Sequence, residues 1–344
     1  MTVGDSDLVR DVLEEYGTLT RAALRAYLRP RSPRLELYEL AAEYPERPGR
    51  SLRASLCIAA ARAFGACTED AINSAVALEL LHNAFLVHDD IEDGSEERRG
   101  RPTLHELQGV PIAVNVGDAL SIMSLRPLIE NRERLGPRLT LRILEEAERM
   151  TRESVEGQAM ELAWRRDNAL DLRDEDYLTM ILKKTCWYTT IYPCRLGALI
   201  ARRDDVDLER YLPFGFFVGA AFQIQDDLLN LVGDPVRYGK ELAGDIWEGK
   251  RTLMLIRLLR DASPNDRAEL RRILALGRRE RSAQDVAWIR RLMDAHGCIE
   301  HSRQVAHGLA GAAVHEFSVA FGHLPDSRDK QFIAALPAWV IARA

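Results

Sequence analysis

Two aspartate-rich segments, about 135 residues apart, contain the side chains best suited to chemistry in this chain. The first is Asp89-Asp90-Ile91-Glu92-Asp93, and the second contains Asp226-Asp227. Carboxylates at positions i and i+4 of a helix lie on one face, and like charges that close repel unless a cation compensates them. Oxygen ligands suit Mg²⁺, which takes one or two carboxylates and leaves its other positions to water and phosphate.

Basic residues follow each aspartate segment. Arg98 and Arg99 follow the first, and Lys240 and Lys250 follow the second, with Asp245 between these lysines. Arginine and lysine side chains beside a carboxylate-bound metal ion are the expected complement of a diphosphate group. The two segments together therefore indicate chemistry on a diphosphate ester.

The segments that carry these residues have apolar side chains at the spacing of an α-helix. Long segments with apolar residues at helical spacing predict helices over 71–88, 109–128, 139–164, 177–200 and 212–231. No extended stretch alternates apolar and polar residues, and no Asn-Gly hairpin turn occurs. The sequence predicts an all-α fold, with residues 1–344 as a single domain in which one large helical bundle surrounds a central cavity.

The first aspartate segment ends a helix that is apolar nearly all round between Leu78 and Val87, which is typical of a helix buried within a bundle. Carboxylates at the end of such a helix are costly unless they meet a cation or water. A solvated helix end is the structural alternative for either segment alone, and it is much less probable for both segments with their basic residues in order.

Composition excludes several functional classes. The chain has 344 residues and a net charge of −6, so no overall basic field attracts nucleic acid or an anionic membrane. Five widely spaced cysteines without a CxxC pair predict free thiols in a reducing compartment, and we expect a cytoplasmic protein. No signal peptide is expected, and no uncharged apolar stretch approaches the length of a transmembrane segment.

The motifs resemble those of a known family. His82-x5-His88-Asp89-Asp90-Ile-Glu-Asp93-x4-Arg98-Arg99 resembles the first aspartate-rich motif of the trans-isoprenyl diphosphate synthases (polyprenyl synthetases). Phe222-Gln223-x-x-Asp226-Asp227, with Gly239-Lys240, Gly244-Asp245 and Lys250 after it, is similar to their second motif. The resemblance implies an isoprenoid synthase fold and a Mg²⁺-dependent transferase that condenses isopentenyl diphosphate with an allylic diphosphate by ionisation, condensation and elimination.

The resemblance also implies a role for each matching residue. About three Mg²⁺ ions would be held by Asp89, Asp90, Asp93, Asp226 and Asp227. The allylic diphosphate would be bound by Arg98, Lys184, Lys240 and Lys250, and its carbocation would be sheltered by Thr185 and Gln223. Isopentenyl diphosphate would be bound without metal by Arg50, Arg53, His82 and Arg99. Members of the family are typically homodimers, so a homodimer is expected.

The chain departs from the family pattern at four positions. The family sequence Gly-Lys-Arg-Leu-Arg-Pro corresponds here to Gly49-Arg50-Ser51-Leu52-Arg53-Ala54, in which Arg50 keeps the charge of the usual lysine and Ser51 and Ala54 depart. This difference predicts somewhat weaker binding of isopentenyl diphosphate. Asn230 replaces the last carboxylate of the second motif and should weaken one metal site, and Gly94 replaces the usual asparagine after the first motif.

The length of the product should depend on residues one and two turns before Asp89. The resemblance indicates that Leu81, Ala84 and Phe85 form the floor beneath the growing prenyl tail. Of the two residues four and five positions before Asp89, only Phe85 is aromatic, and Ala84 would leave room beside it. We therefore expect geranylgeranyl diphosphate (C20), with C15 or C25 and longer products as alternatives, unless Phe85 merely packs in a helical core.

Two other functions fit parts of the pattern. A class I terpene cyclase shares the aspartate motif but has no second diphosphate to bind, so the basic residues of the isopentenyl diphosphate set argue against it. A non-catalytic subunit of a prenyl synthase tends to lose one aspartate motif, and both motifs are present here. The segment with Gln158, Glu161 and Arg165 is either a wall of the cavity or a packed helix with a solvated end.

Overall fold

The computed structural model describes residues 3–29, 31–47, 49–202, 205–233 and 243–343, with side chains described from residue 6 onward. Lys240, which the sequence placed at the diphosphate, lies outside the described residues. Within the described ranges the chain is almost entirely helical, so the predicted all-α class is confirmed.

The helices are numbered in chain order within the described residues. They are α1 (Val3–Tyr27), α2 (Glu39–Glu46), α3 (Leu52–Ala63), α4 (Thr68–Asp93), α5 (Leu104–Gln108), α6 (Val110–Glu130), α7 (Arg132–Leu135), α8 (Pro137–Arg166), α9 (Asp174–Ile181), α10 (Tyr192–Arg202), α11 (Leu212–Val232), α12 (Gly244–Glu248), α13 (Leu253–Asp261), α14 (Pro264–Leu274), α15 (Ala283–Ala295), α16 (Cys298–Phe321) and α17 (Arg328–Ile341). Two π-helical segments cover Arg34–Tyr38 and Leu182–Ile191, and short 3-10 helices cover Leu208–Tyr211 and Arg278–Glu280. The antiparallel strands β1 (Glu97–Arg98) and β2 (Arg101–Pro102) form a small ribbon after α4.

Helix α4 runs through the core and carries the first aspartate segment in its last two turns. Its apolar residues pack mainly against α6 on one side and α3 on another, and Leu80 and Ala84 are fully buried. The helix ends at Gly94, whose φ of 62° lies in the left-handed region that closes helix ends. The predicted buried helix is therefore confirmed, and the glycine that departs from the family pattern serves as its C-terminal cap.

The predicted helix over 177–200 is a continuous column of α9, the π-helical segment Leu182–Ile191 and α10. The wider π turn contains Lys184 and Thr185, and π turns frequently occur at functional sites. Gly157 of α8 lets the two backbones approach closely, because a Cβ there would lie 2.2 Å from the backbone nitrogen of Lys184. Helix α8 thereby holds the segment that positions Lys184.

The described segment Val110–Leu135 is long and apolar enough to cross a membrane by length and composition alone. Core helices of soluble proteins pass the same test, and this segment carries Asp118 and Arg126. It packs along the whole of α4 on one side. Its opposite face exposes a row of large apolar side chains: Val110, Ile112, Val114, Ile122, Leu125 and Ile129.

Candidate active site

A cavity of about 680 Å³ lies among the helices and brings the two predicted motifs together. We call it the main cavity. Its lining includes most of the residues that the sequence singled out, namely Arg50, Arg53, His82, Phe85, Asp89, Arg98, Arg99, Lys184, Thr185, Gln223, Asp226, Asp227, Asp245 and Lys250. Residues far apart in the chain therefore meet in one space, as the two-motif pattern predicts.

Asp89 presents its carboxylate to the main cavity between two cations. Its Oδ1 lies 3.4 Å from Nζ of Lys184, and its Oδ2 lies 3.3 Å from Nη2 of Arg98. Burial and the neighbouring carboxylates act in opposite directions on Lys184, and the net effect raises the pKa of its ammonium group above the usual range, with Glu161 and Asp89 as the main charges. Lys184 is therefore a cation at neutral pH.

Asp90 points away from the main cavity. Its carboxylate accepts hydrogen bonds from Nε of Arg98 at 2.7 Å and from the hydroxyl of Tyr44 at 2.6 Å, and the residue is fully buried. The predicted metal-binding role of Asp90 would require these bonds to break, because both of its oxygens are already bonded on the far side of the helix. In this structure Asp90 orients the guanidinium of Arg98. The Nη2 atom of the same guanidinium also contacts the carboxylate of Asp89.

Asp93 connects the first motif with the second. Its Oδ2 lies 2.6 Å from Nζ of Lys250, and its Oδ1 lies 2.6 Å from Nη1 of Arg165. Desolvation raises the pKa of the Asp93 carboxyl, and the charge of Lys250 acts in the opposite direction. The side chain is 2% exposed, so a metal ion could reach it only if one of these two cations moved.

Two interpretations of Arg165 were open from the sequence, a wall of the cavity or the solvated end of a packed helix. Arg165 lies on the same helix face as Gln158 and Glu161, and all three contact the site. Gln158 donates to Glu92, Glu161 forms an ion pair with Lys184, and Arg165 binds Asp93. The recurrence of polar residues at positions 158, 161 and 165 of one helix was the signal that could have identified this face.

Asp227 lies in a buried hydrogen-bond network on α11. Its Oδ2 accepts from the Tyr177 hydroxyl at 2.7 Å, and its Oδ1 accepts from Nε2 of Gln223 at 2.7 Å. Desolvation raises the pKa of this carboxyl to about 6, although the two hydrogen bonds act to lower it. Gln223 also accepts a hydrogen bond of 2.9 Å from Thr185, which couples the network to the π-helical segment.

Asp226 is paired with a residue from the C-terminal end of the described chain. Its Oδ1 lies 2.9 Å from Nη1 of Arg343, whose guanidinium also lies 4.0 Å from the centre of the Phe222 ring. Sequence reasoning missed Arg343 because no spacing connects it with the motifs. It lines the main cavity next to the second aspartate segment.

Asn230 has a structural role. Its Oδ1 accepts a hydrogen bond of 3.1 Å from the backbone nitrogen of Asp245, at the start of α12, and the residue is 5% exposed. It does not line the main cavity. The predicted weak metal ligand is therefore a residue that holds the segment carrying Asp245 against α11.

The other side of the main cavity is a basic cradle formed by Arg50, Arg53, His82 and Arg99. Nη1 of Arg53 lies 3.4 Å from Nε2 of His82, and its guanidinium lies 4.3 Å from the centre of the Tyr188 ring. Burial, followed by the charges of Arg53 and Arg99, holds the pKa of His82 well below its usual range. The His82 ring is therefore neutral at pH 7 in this structure.

Two polar atoms of this cradle are buried without a hydrogen-bond partner in the described part of the chain. They are Nδ1 of His82 and Nε of Arg53. Buried polar groups are normally satisfied, so unpaired donors beside a cavity point to a ligand that accepts hydrogen bonds. Several cationic donors around one space fit a diphosphate that is bound without a metal ion.

The side of the main cavity that carries the aspartates differs from the basic cradle, because its carboxylates suit a divalent metal ion. Within the described ranges, no three His, Cys, Asp or Glu side chains form an assembled metal site. Asp89 lies on one wall and Asp226 and Asp227 on the other, so each wall alone offers one or two carboxylates. That number suits Mg²⁺, whose remaining ligands are water and phosphate oxygens. The residues therefore fit a metal ion that binds together with a diphosphate.

An apolar wall lies on the α4 side of the acidic residues. The rings of Phe85 and Tyr188 meet edge to face, with 5.5 Å between their centres. Ala84 does not line the main cavity, contrary to the expectation that it leaves room beside Phe85, because it packs in the core between α4 and α6. Leu81 instead lines a separate apolar cavity of about 450 Å³, the Leu81 cavity, and Val155 lines both cavities.

Comparison with known proteins decides the family. A sequence model of the polyprenyl synthetase family matches residues 35–293. The chain belongs to the polyprenyl synthetase family. As a polyprenyl synthetase it is a trans-prenyltransferase that makes prenyl diphosphates, in agreement with the enzyme class that the two motifs predicted.

Full-length relatives support this polyprenyl synthetase assignment. The chain is 30% identical over 335 residues to a short chain isoprenyl diphosphate synthase of Methanothermobacter thermautotrophicus, covering 97% of this chain and 98% of the relative. The fold is similar to that of geranylgeranyl pyrophosphate synthetase from Pyrococcus horikoshii, with a TM-score of 0.85, 29% identity and coverage of 98% of this chain and 99% of the other. It is also similar to a polyprenyl synthase of Caulobacter crescentus solved with calcium and isoprenyl diphosphate, with a TM-score of 0.84, 27% identity and 97% coverage of each chain.

Proposed function

We propose that this protein condenses isopentenyl diphosphate with the allylic diphosphates dimethylallyl, geranyl and farnesyl diphosphate, in a Mg²⁺-dependent reaction that gives geranylgeranyl diphosphate. The observation that carries the proposal is the presence of two different anion-binding sets in one cavity. One set pairs the carboxylates Asp89, Asp226 and Asp227 with cations, and the other is the basic cradle. A reaction between two diphosphate esters needs both sets.

The acidic side would bind the allylic diphosphate. Asp89, Asp93, Asp226 and Asp227 would hold Mg²⁺, about three ions by analogy with the family, and bound metal supplies positive charge that stabilises the leaving diphosphate. Arg98, Lys184 and Lys250 lie among these carboxylates and would add cationic donors to the same group. Lys240 is proposed to join them on the strength of its motif position.

The basic cradle would hold isopentenyl diphosphate with its double bond towards the allylic carbon. The allylic C–O bond breaks, the double bond forms a new C–C bond with the carbocation, and a proton is then lost, by family analogy to the released diphosphate. Thr185 and Gln223 form a neutral hydrogen-bonded pair at the cavity wall. Their dipoles, and the apolar ring of Tyr188, would stabilise the carbocation and exclude water.

The length of the product is proposed to depend on Phe85. This side chain lines the main cavity four residues before Asp89, where the tail of an allylic substrate would lie. The separate Leu81 cavity lies further along α4 and is apolar, so it offers apolar space to a longer tail if the wall at Phe85 opens. A partly open floor of this kind supports a C20 product, and the geranylgeranyl names of several relatives support the same length.

The two rival functions lack a comparable observation. A terpene cyclase binds one diphosphate, and it would leave the four residues of the basic cradle without a ligand. A non-catalytic subunit would have no need for the cations that surround Asp89 and Asp93. The cradle is thus the feature that discriminates among the three functions.

The decisive experiment incubates the purified protein with radiolabelled isopentenyl diphosphate, each allylic primer in turn, and Mg²⁺. We expect labelled prenyl diphosphates with a C20 maximum, and no product after chelation with EDTA. A hydrocarbon or alcohol formed from the allylic substrate without label would support the cyclase. Absence of turnover alone, with stimulation of another synthase, would support the non-catalytic subunit.

A homodimer is proposed to form through the exposed apolar face of α6. Ile122, Leu125 and Ile129 of this face recur every three or four positions, and Ile122 is the most exposed of its residues at 69%. Leu141 and Val155 of α8 are further exposed apolar residues. A second copy of this chain is a fitting partner, because self-complementary apolar faces of this kind form two-fold interfaces. Residues 1–344 would then act as one cytoplasmic domain per protomer.

A further inference from the structure

Arg21 of α1 reaches the main cavity from a helix outside both motifs. It lines this cavity together with the basic cradle residues Arg50 and Arg53. It also lines an adjoining outer cavity, which shares Gly49 and Arg50 with the main cavity. The half-buried guanidinium of Arg21 therefore lies where the cradle meets the outside.

The position of Arg21 is fixed by contacts with uncharged groups. Its Nη1 donates to Oγ of Ser51 at 3.3 Å, and its Nη2 donates to Oγ1 of Thr18 at 3.1 Å. Among the residues that the structure describes, no carboxylate oxygen lies within ion-pair distance of its guanidinium. An arginine that is held in place without a carboxylate partner retains its capacity to bind an anion.

The backbone of α1 is adapted to this contact. A Cβ on Gly17 would lie 3.0 Å from Nη1 of Arg21 and 3.1 Å from Cβ of Ser51, so glycine leaves the space in which the two side chains meet. Ser51 has a φ of 48° at the start of α3. Ser51 occupies the position at which the family sequence Gly-Lys-Arg-Leu-Arg-Pro has its first arginine. Arg21 of α1 therefore brings a positive charge to a position where this chain has an uncharged serine.

The charge of Arg21 also acts on the interior of the cradle. The pKa of the buried Glu79 carboxyl is raised by desolvation, and the charges of Arg53, Arg99 and Arg21 lower it in part. Glu79 lines the main cavity one turn before His82. The positive charge of Arg21 therefore acts on the same carboxyl group, that of Glu79, as the charges of the cradle residues Arg53 and Arg99.

We propose that Arg21 is a further substrate-binding residue of the isopentenyl diphosphate site, where it supplies from α1 the positive charge that Ser51 lacks. The inference rests on the proposed function, because it assigns the ligand of the basic cradle. A diphosphate carries two or three negative charges, and a cation at the mouth of the cradle would bind its outer phosphate while Arg53 and Arg99 bind the inner side. Allylic diphosphate binding at the acidic side would not involve Arg21.

The test compares Arg21→Gln, Arg21→Lys and the wild type in steady-state kinetics with each substrate varied separately. Loss of one charge-assisted hydrogen bond should raise the KM for isopentenyl diphosphate about tenfold. The KM for the allylic diphosphate and kcat should stay within about twofold of wild type. Arg21→Lys keeps the charge, so it should recover most of the loss.

Arg25→Gln is the matched control, because Arg25 is exposed on the same helix one turn further along. It should change neither KM. Calorimetric titration of each variant with isopentenyl diphosphate in EDTA measures the cradle without turnover, and Arg21→Gln should bind about tenfold more weakly. A separate thermal melt checks that each variant is folded.

Equal affinity of wild type and Arg21→Gln for isopentenyl diphosphate would overturn the inference, as would an equal rise in both KM values. If Arg21→Gln does not fold, the result with Arg21→Lys decides, because a general structural role would lower kcat in that variant as well. A wild-type protein that neither binds nor consumes isopentenyl diphosphate would instead refute the proposed function itself.

Discussion

The Nζ atom of Lys250 lies 2.6 Å from Oδ2 of Asp93, and this ion pair joins the second aspartate motif to the first. The partners are 157 positions apart in the chain. Arg165 binds the other oxygen of the same carboxylate, so Asp93 is held by two cations from two different elements. This arrangement compensates the buried charge and keeps the two walls together before any ligand binds.

Lys184→Gln should lower kcat by about two orders of magnitude, because the side chain lies beside Asp89 where negative charge develops on the leaving diphosphate. Lys183→Gln is a matched control. The neighbouring Lys183 pairs with Glu153 and Glu156 of α8, and loss of a partly exposed ion pair should change kcat by less than about twofold. Steady-state kinetics of both variants with Mg²⁺ tests the assignment, and equal losses would contradict it.

Phe85→Ala should lengthen the product by at least one C5 unit, because the ring lines the main cavity where the tail is proposed to lie and its removal enlarges that space. Chromatography of the dephosphorylated products measures the shift. Ala84→Ser is the control, since Ala84 packs against α6 and not against the main cavity. An unchanged product profile in Phe85→Ala would mean that Phe85 is only a packing residue.

The buried carboxyl of Asp227 should make the stability of the metal-free protein depend on pH. Its folded-state pKa is raised to about 6, so the folded state holds this proton more tightly than the unfolded state does. The free energy of unfolding should therefore fall as pH rises from about 4 to 6, by roughly 2–3 kcal/mol from this group. Well above pH 6 the free energy of unfolding should no longer change through the titration of this group.

Denaturant titrations in EDTA at several pH values check this prediction, with Asp227→Asn and Asp294→Asn compared. The first variant should lose the pH dependence in this window, and the exposed Asp294→Asn should keep it. In the presence of Mg²⁺ and substrate the sign reverses, because metal binding needs the ionised carboxylate and weakens as pH falls below about 6. A stability that is flat between pH 4 and 6 would refute the shifted pKa.

Ile122→Asp should convert a dimer into monomers, because it places a charge in the middle of the exposed apolar face of α6. Sedimentation velocity at micromolar concentration measures the change. Val314→Asp on α16 is the control, since Val314 is 56% exposed on another helix. A wild-type protein that sediments as a monomer would contradict the proposed dimer.

The sequence alone determined the fold class and the core of the site. Long segments with apolar residues at helical spacing, and the absence of segments that alternate apolar and polar residues, predicted the all-α bundle. This spacing is a local property that can be read directly from the sequence. The two motifs predicted the carboxylates, because spacing within a helix is fixed by its geometry, and the resemblance to the polyprenyl synthetases implied the basic cradle.

The tertiary structure decided which of these side chains face the cavity and which residues join them. Asp90 is adjacent to Asp89 in the chain, yet the 100° turn per residue points it into the bonds of Arg98 and Tyr44. Arg21 and Arg343 lie near opposite ends of the chain and both line the main cavity. Their positions in the sequence have no regular spacing from the motifs, so the sequence could not predict their place in the site. Contacts between distant segments depend on how helices pack, and packing is settled only when the whole core forms.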